Sequence, residues 1–120
     1  MGKNKTLGVW GEEKAAKFLT EQGYIIVEKN FHSRFGEIDL VAENDGFLVF
    51  VEVKLRSDGS HGRPEEFVDR RKQEKLRLTA EYYLQKHPTE KQPRFDVVAI
   101  YAPKGLETYP IPVRYIQNAF

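Results

Sequence analysis

The sequence has no cysteine among its 120 residues. Disulfide bonds and thiolate metal sites are therefore excluded, and a reducing, cytoplasmic compartment is the simplest expectation. A long apolar run is missing too, so no membrane span is expected. The basic first residues are not followed by the apolar stretch of a secretory signal. Without repeats or linkers, the chain suits a single domain over residues 1–120.

The sequence also lacks a strong excess of either charge. It has 19 Lys and Arg against 18 Asp and Glu, for a net charge of +1. A general polyanion binder is usually more basic than this. If nucleic acid is the partner, the positive charge must therefore be concentrated locally.

Hydrophobic periodicity and turn residues divide the chain into two helices and four or five strands. The helices are predicted over residues 6–22 and 64–87, and the strands over residues 24–31, 36–43, 47–56, 94–101 and, more weakly, 105–112. Residues 57–63 contain two glycines and predict a mobile loop. This order predicts an α/β fold with a mixed central sheet flanked by two main helices.

The register of one predicted hairpin follows from its turn. An Asp-Gly dipeptide at positions 45 and 46 separates two apolar strands, which is the strongest short-range hairpin signal. With a two-residue loop, Asn44 pairs with Phe47. Counting outward then places Asp39 opposite Glu52.

Side-chain alternation supports this register, because alternate strand residues point to opposite faces of a sheet. One face is apolar and carries Ile38, Leu40, Ala42, Phe47, Val49, Val51, Val53 and Leu55. The other carries Glu37, Asp39, Val41, Leu48, Phe50, Glu52, Lys54 and Arg56. A slip of one residue would bury carboxylates in the core.

Asp39, Glu52 and Lys54 meet at the end of the hairpin away from its turn. Two facing carboxylates stay ionised at low cost only with a cation between them. Hard oxygen ligands favour Mg²⁺ or Mn²⁺, and the Val53 carbonyl is a further candidate ligand. Such an ion polarises a phosphodiester and activates water, while an ammonium group stabilises developing charge. The set predicts phosphodiester hydrolysis.

The alternative is a surface hairpin with cross-strand ion pairs. In that interpretation Glu37 pairs with Lys54, and Asp39 pairs with Arg56. It fits less well, because Asp39 and Glu52 would still face each other without a cation.

Two residues on the helices are candidates to join the site. Glu12 lies at the edge of the apolar face of the first helix, where its other possible role is to favour the helix dipole. Lys72 interrupts the inward stripe of the second helix, so it either reaches an acidic site or extends to solvent; we favour the site. The stripe consists of Val68, Leu76, Thr79, Ala80 and Tyr83. The neighbouring cations that would track phosphates are Arg70, Arg71, Lys75 and Arg77. Asp96, in an apolar strand, is expected to be a structural hydrogen-bond acceptor.

Several short stretches together resemble the YraN family of small bacterial proteins. They are Gly8-Val9-Trp10-Gly11-Glu12, Asn30-Phe31, Gly36-Glu37-Ile38-Asp39-Leu40, Phe50-Val51-Glu52-Val53-Lys54, Pro64 with Val68 and Lys72, and Arg94-Phe95-Asp96-Val97-Val98. The acidic and lysine positions also resemble the PD-(D/E)XK nuclease superfamily, with Ile38 in place of the proline.

The resemblance implies a restriction-endonuclease-like fold, distantly similar to archaeal Holliday junction resolvases. It implies metal binding by Asp39 and Glu52, with Lys54 as the catalytic lysine and Glu12 as the acidic residue of the first helix. Resolvases act as dimers on branched DNA, which makes a homodimer the corresponding expectation here. The favoured hypothesis is therefore a Mg²⁺-dependent DNA endonuclease. A non-catalytic nucleic-acid-binding module and a protein-interaction subunit remain the alternatives.

Overall fold

The computed structural model describes residues 6–57 and 68–120. Within these residues lie helices α1 (Leu7–Glu21) and α2 (Arg70–Lys86), strands β1 (Ile25–Ser33), β2 (Gly36–Glu43), β3 (Phe47–Arg56), β4 (Gln92–Tyr101) and β5 (Val113–Ile116), and a 3₁₀ turn, Gly105–Glu107. The predicted α/β class is confirmed. Neither of the described helices is long and apolar enough to cross a membrane.

The strands form one mixed sheet in the order β1-β2-β3-β4-β5. Only the β3–β4 pair is parallel, and the other neighbours are antiparallel. A parallel pair needs a crossover connection, and α2 lies on the crossover between β3 and β4. The two helices cover different core clusters of the sheet, which places α1 and α2 on opposite faces.

Each helix packs on its own hydrophobic core. The α1-side core consists of Trp10, Ala15, Ala16, Leu19, Tyr24, Leu40, Ala42, Val49, Val51, Val98, Ile100 and Ala102. The α2-side core consists of Phe31, Ile38, Val41, Leu48, Phe50, Val68, Leu76, Ala80, Tyr83, Val97 and Ala99. The α2 residues in this second list match the inward stripe that the sequence predicts.

The start of α2 differs from the prediction. Asp69 Oδ1 accepts the Lys72 backbone N–H at 2.8 Å and caps the helix, which therefore begins at Arg70. An Asp at this position satisfies one of the N–H groups that a helix start leaves unpaired. Val68 precedes the helix but is still buried. The predicted first turn at residues 64–66 and most of the predicted loop at residues 57–63 lie outside the described residues.

The β2–β3 hairpin has the predicted register but a different end. The strands pair from Leu40↔Val51 to Glu43↔Leu48, and the Asn44 N–H donates to the Phe47 carbonyl at 3.1 Å. Pairing with β3 stops at Leu40, while β2 stays paired with β1 down to Gly36.

The predicted position of Ile38 in the α1-side face is wrong, because Ile38 belongs to the α2-side core. The first residues of β2 no longer pair with β3 and instead approach α2. A Cβ placed on Gly36 would lie 3.4 Å from the Thr79 hydroxyl oxygen. Side-chain alternation along a paired strand therefore does not extend across this departure.

The predicted weak strand at residues 105–112 is also wrong. Residues Gly105–Glu107 form a 3₁₀ turn, and β5 begins at Val113. Pro110 and Pro112 have no backbone N–H to donate to a neighbouring strand. The final strand consequently starts directly after the second proline.

Asp96 is a structural hydrogen-bond acceptor, as the sequence suggests. Its fully buried carboxylate accepts bonds from Arg94 Nε at 2.9 Å and Nη2 at 2.8 Å. The Tyr115 hydroxyl and the Asn118 N–H also donate to it. The hydrogen bonds to Asp96 raise the pKa of Arg94. Because its partners include residues of the α1-side core, this network is separate from the charges described next.

Candidate active site

Glu52 is a buried carboxylate on β3, with only 5% of its surface exposed. Lys54 Nζ lies 3.3 Å from Glu52 Oε2, and Lys72 Nζ lies 3.4 Å from the same oxygen. Lys54 follows two residues later on the same strand face, whereas Lys72 comes from the first turn of α2. A buried carboxylate is costly without such partners, so β3 and α2 together hold a compensated charge at this position.

Asp39 occupies a position where the β2–β3 ladder would otherwise continue. In an antiparallel pair, hydrogen-bonded residue pairs alternate along the strands. Starting from Asn44 and Phe47, this alternation makes Val53 face Ile38. The Val53 N–H instead donates to Asp39 Oδ2 at 2.8 Å. The side chain of Asp39 thereby replaces a backbone carbonyl between the two strands.

The sequence interpretation considered only the carbonyl of Val53 and missed the bond from its N–H. The signal was nevertheless present, because the hairpin register alone determines that Val53 directs its backbone groups toward β2. The same alternation directs the Val53 carbonyl toward β2. What the register does not reveal is that a side chain, rather than Ile38, accepts the bond.

The surroundings of Asp39 raise its pKa from 3.8 to about 7. Burial is the main cause, and the negative charge of Glu52 is the second. The Val53 N–H bond and the Lys72 charge lower the pKa, while the Glu12 charge raises it further. Lys72 belongs to α2, and Glu12 belongs to α1. Asp39 therefore experiences charges from both helical layers as well as from the adjacent strand.

The structure brings most of the predicted site residues together. Glu52, Lys54 and Lys72 are in direct contact, and Asp39 lies within electrostatic range of this group. Glu12 is half-buried on α1 and acts on Asp39 through its charge. Across residues 6–57 and 68–120, no three His, Cys, Asp or Glu side chains converge as a ready metal cluster.

The alternative pairing of Glu37 with Lys54 is wrong. Lys54 contacts Glu52, and Glu37 Oε2 instead lies 3.2 Å from His32 Nδ1 on β1. Glu37 and His32 are directly opposite in the β1–β2 ladder. The reason is again the separation of β2 from β3 below Leu40, which carries Glu37 away from Lys54.

Exposed cations extend from the site along α2. Arg70, Arg71 and Lys75 are exposed next to Lys72. Arg77 does not belong to this row, because its guanidinium carbon lies over the rings of Phe95 and Phe120, at 5.2 and 5.6 Å from their centroids. The local positive charge expected from the sequence is therefore present at the start of α2, beside Glu52.

Comparison with known sequences gives the chain a family. The model of the Uncharacterised protein family UPF0102 matches residues 11–100. The chain belongs to the UPF0102 family. The resemblance to the YraN family is thereby confirmed, since the two names denote the same family. All five candidate catalytic residues of this UPF0102 chain lie within the matched range: Glu12, Asp39, Glu52, Lys54 and Lys72.

UPF0102 proteins from several bacteria are similar over most of this chain. The protein from Syntrophomonas wolfei is 46% identical over 118 residues, which cover 98% of this chain and 99% of the relative. The protein from Rhodococcus opacus is 42% identical over 121 residues, with both chains covered completely. The protein from Persephonella marina is 47% identical over 94 residues, covering 78% and 81%. The family description names no activity.

Proposed function

We propose that this protein is a divalent-metal-dependent endonuclease that hydrolyses phosphodiester bonds in DNA, with a PD-(D/E)XK type of site. The observation that carries the proposal is the buried Glu52 carboxylate, contacted by Lys54 and Lys72 with the Asp39 carboxyl beside it. Carboxylates and ammonium groups converge here from β2, β3 and α2. Such a group serves metal-assisted phosphoryl chemistry better than it serves stability, because buried charges stabilise folds poorly.

The residues fit a hard divalent ion such as Mg²⁺ or Mn²⁺. Burial and the charge of Glu52 make Asp39 costly to ionise, as its raised pKa records, and a cation between the two carboxylates removes that cost. Asp39, Glu52 and the Val53 carbonyl would hold the ion, and all three are oxygen ligands of the kind that Mg²⁺ prefers. When bound, the ion would lower the pKa of a water molecule and polarise the phosphodiester.

The two lysines supply positive charge for the substrate. Both ammonium groups lie within 3.4 Å of Glu52, and their side chains are 24% and 40% exposed. A phosphodiester that approaches the carboxylates therefore also meets Lys54 and Lys72. Preorganised cations stabilise charge that develops on phosphoryl oxygens. In this proposal Glu12 adjusts the charge at Asp39 from the α1 side.

A non-catalytic nucleic-acid-binding module is the second candidate. Two observations favour it: the described residues contain no ready cluster of three acidic or histidine ligands, and exposed cations border the site. This candidate predicts salt-dependent binding of DNA that does not require Asp39 or Glu52. The proposed DNA partner is thus common to both candidates, and a homodimer is the proposed form on branched DNA.

Cleavage assays distinguish the two candidates. Purified protein is incubated with single-stranded, duplex, flapped and four-way DNA in Mg²⁺, Mn²⁺ or a chelator. We expect cleavage only with metal, and a loss of about 100-fold or more in Asp39→Asn, Glu52→Gln and Lys54→Met. Glu37→Gln is the matched control, because Glu37 is on the same strand as Asp39 but contacts His32. Absence of cleavage, with DNA binding intact in all variants, would establish the second candidate instead.

A further inference from the structure

A cavity of about 260 Å³ lies between the β1–β2 turn and the second half of α2. It is lined by Arg34, Phe35, Leu78, Glu81, Tyr82 and Gln85. None of these residues belongs to the site around Glu52. Pockets for drug-sized ligands have volumes of roughly 300–1,000 Å³. The cavity is slightly smaller than these, and its size suits a single small heterocycle.

Flat groups form the walls of this cavity. The rings of Phe35 and Tyr82 have centroids 6.3 Å apart and are inclined at 64°. The Arg34 guanidinium carbon lies 5.0 Å from the Phe35 ring centroid. Leu78 lies beside them and is 45% exposed. Aromatic faces and guanidinium planes are the surfaces on which unpaired nucleic-acid bases stack.

The cavity lies on the face of α2 that also carries Lys75. Gly36, which directly follows Phe35, adjoins α2, since a Cβ placed on it would lie 3.9 Å from the Lys75 Cβ. Lys72 at the site and Tyr82 at the cavity are ten residues apart on one helix, which is about 15 Å at 1.5 Å per residue. A strand of nucleic acid that reaches Lys72 can therefore extend along Lys75 to the cavity.

We propose that this cavity binds an unpaired base of a single strand of nucleic acid whose backbone follows Lys75 and Arg71 to Glu52. The proposal rests on the proposed function for its substrate. Charge favours this occupant, because Arg34 lines the cavity and Lys86 lies beside it, with its Nζ 4.9 Å from the Tyr82 centroid, against the single carboxylate of Glu81 in the lining. An apolar protein segment gains nothing from cations placed over the rings, whereas a strand brings a phosphate with each base.

The rim of the cavity suits the edge of a base. The Glu81 carboxylate is an acceptor for exocyclic amino groups, and the Gln85 amide both donates and accepts. A base within a continuous duplex is stacked and paired, so it cannot enter without being extruded. The substrate class is therefore DNA or RNA with unpaired nucleotides beside the bond that is cut.

Binding measured in a chelator tests the proposal without any need for cleavage. The probes are a single-stranded oligonucleotide containing 2-aminopurine, as DNA and as RNA, and a duplex of the same sequence. We expect quenching of the 2-aminopurine fluorescence on binding, and affinity for the single strand reduced about 10-fold or more in Phe35→Leu, since one base stack is lost. Duplex affinity should be unchanged, because it depends on phosphate contacts.

Two further variants make the result interpretable. Leu78→Glu changes an exposed side chain at the cavity, so it should weaken single-strand binding even if Phe35→Leu perturbs folding. Tyr109→Leu is the matched aromatic control, because Tyr109 is 90% exposed and does not line the cavity.

Equal single-strand affinity in wild type, Phe35→Leu and Leu78→Glu overturns the proposal. An equal loss for the duplex also overturns it, as does loss of self-association without loss of single-strand binding, which would identify a second copy of the chain as the occupant. Cleavage that is intact in these variants leaves the endonuclease standing while this inference fails. Selective single-strand binding without cleavage supports this inference and contradicts the endonuclease.

Discussion

At the scale of single residues, Asp39 and Glu52 are neighbouring carboxyl groups with different partners. Glu52 has two ammonium groups within 3.4 Å. Asp39 has one backbone N–H, and Glu52 is the like charge that acts on it most strongly. Asp39 is therefore the carboxyl whose ionisation the fold disfavours. Because the pKa of the Asp39 carboxyl is about 7, the cost of ionising it in the folded protein can be measured as a dependence of stability on pH.

We expect the free energy of unfolding of Asp39→Asn, relative to that of the wild type, to be higher at pH 8 than at pH 5. Between pH 3.8 and about 7 the folded protein keeps a proton on Asp39 that the unfolded chain has lost. The free energy of unfolding of the wild type therefore falls as pH rises through this range, and the penalty is complete above pH 7. After solvent screening the variant should gain roughly 1–3 kcal/mol relative to wild type between the two pH values.

Urea unfolding in a chelator at pH 5 and pH 8 measures this difference. Asp45→Asn is the control, because Asp45 is exposed in the hairpin loop, away from this group of charges. Millimolar Mg²⁺ at pH 8 should then stabilise the wild type more than Asp39→Asn, since only the wild type has both carboxylates for the ion. A pH-independent difference between Asp39→Asn and wild type would contradict the raised pKa.

At the scale of elements, the start of β2 sets the distance between the sheet and α2. Gly36 has a φ of +147°, and a Cβ on it would lie 3.4 Å from Thr79 Oγ1. Thr79 itself is fully buried and donates to the Lys75 carbonyl at 2.8 Å, so it has little room to move. Both the backbone conformation and the close approach require glycine at this position.

Gly36→Ala is therefore expected to cost about 1–3 kcal/mol of stability through strain at positive φ and contact with α2. Because Lys72 is on α2, the same variant should also weaken the Lys72–Glu52 contact and slow any cleavage. Gly46→Ala is the control, since a Cβ there meets nothing within 4 Å, and it should change stability by less than about 0.5 kcal/mol. Chemical denaturation of both variants makes the comparison. Equal stability would show that β2 and α2 adjust to each other freely.

Local signals explain which elements could be predicted. The bounds of β2 and β3 agree with the predicted 36–43 and 47–56, because the Asp-Gly turn fixes the loop and the register at once. The start of α2 was predicted wrongly, because the first turn was placed at Pro64 and Asp69, which caps the helix in the structure, was not considered. Ile38 was misplaced because its side follows from the Asp39–Val53 bond, a contact between elements that alternation does not encode.

At the scale of the whole molecule, the contact between Lys72 and Glu52 depends on the fold more than on the sequence around Lys72. A lysine in an apolar stripe indicates a partner, but only the β3–α2–β4 crossover brings that stripe over Glu52. The role of Asp96 as a hydrogen-bond acceptor was predicted, but the partners in the Arg94–Asp96 network were not, for the complementary reason. Its partners include Tyr24, Tyr115 and Asn118, which are far apart in sequence and carry no shared pattern. Distant residues that meet only through tertiary packing leave no local signal.

This network joins the segment after α1 to the segment after β5, so its loss should affect the entire fold. Asp96→Leu leaves the Arg94 guanidinium, now only 10% exposed, without its carboxylate, and should cost about 3–5 kcal/mol. The double variant Arg94→Met with Asp96→Leu removes both charges and should recover at least half of that loss, because an apolar pair has no unpaired charge to bury. Thermal unfolding of wild type, single and double variants compares them directly. Equal instability of the two variants would show that stability depends on the hydrogen bonds from Tyr115 and Asn118 to Asp96 rather than on the ion pair.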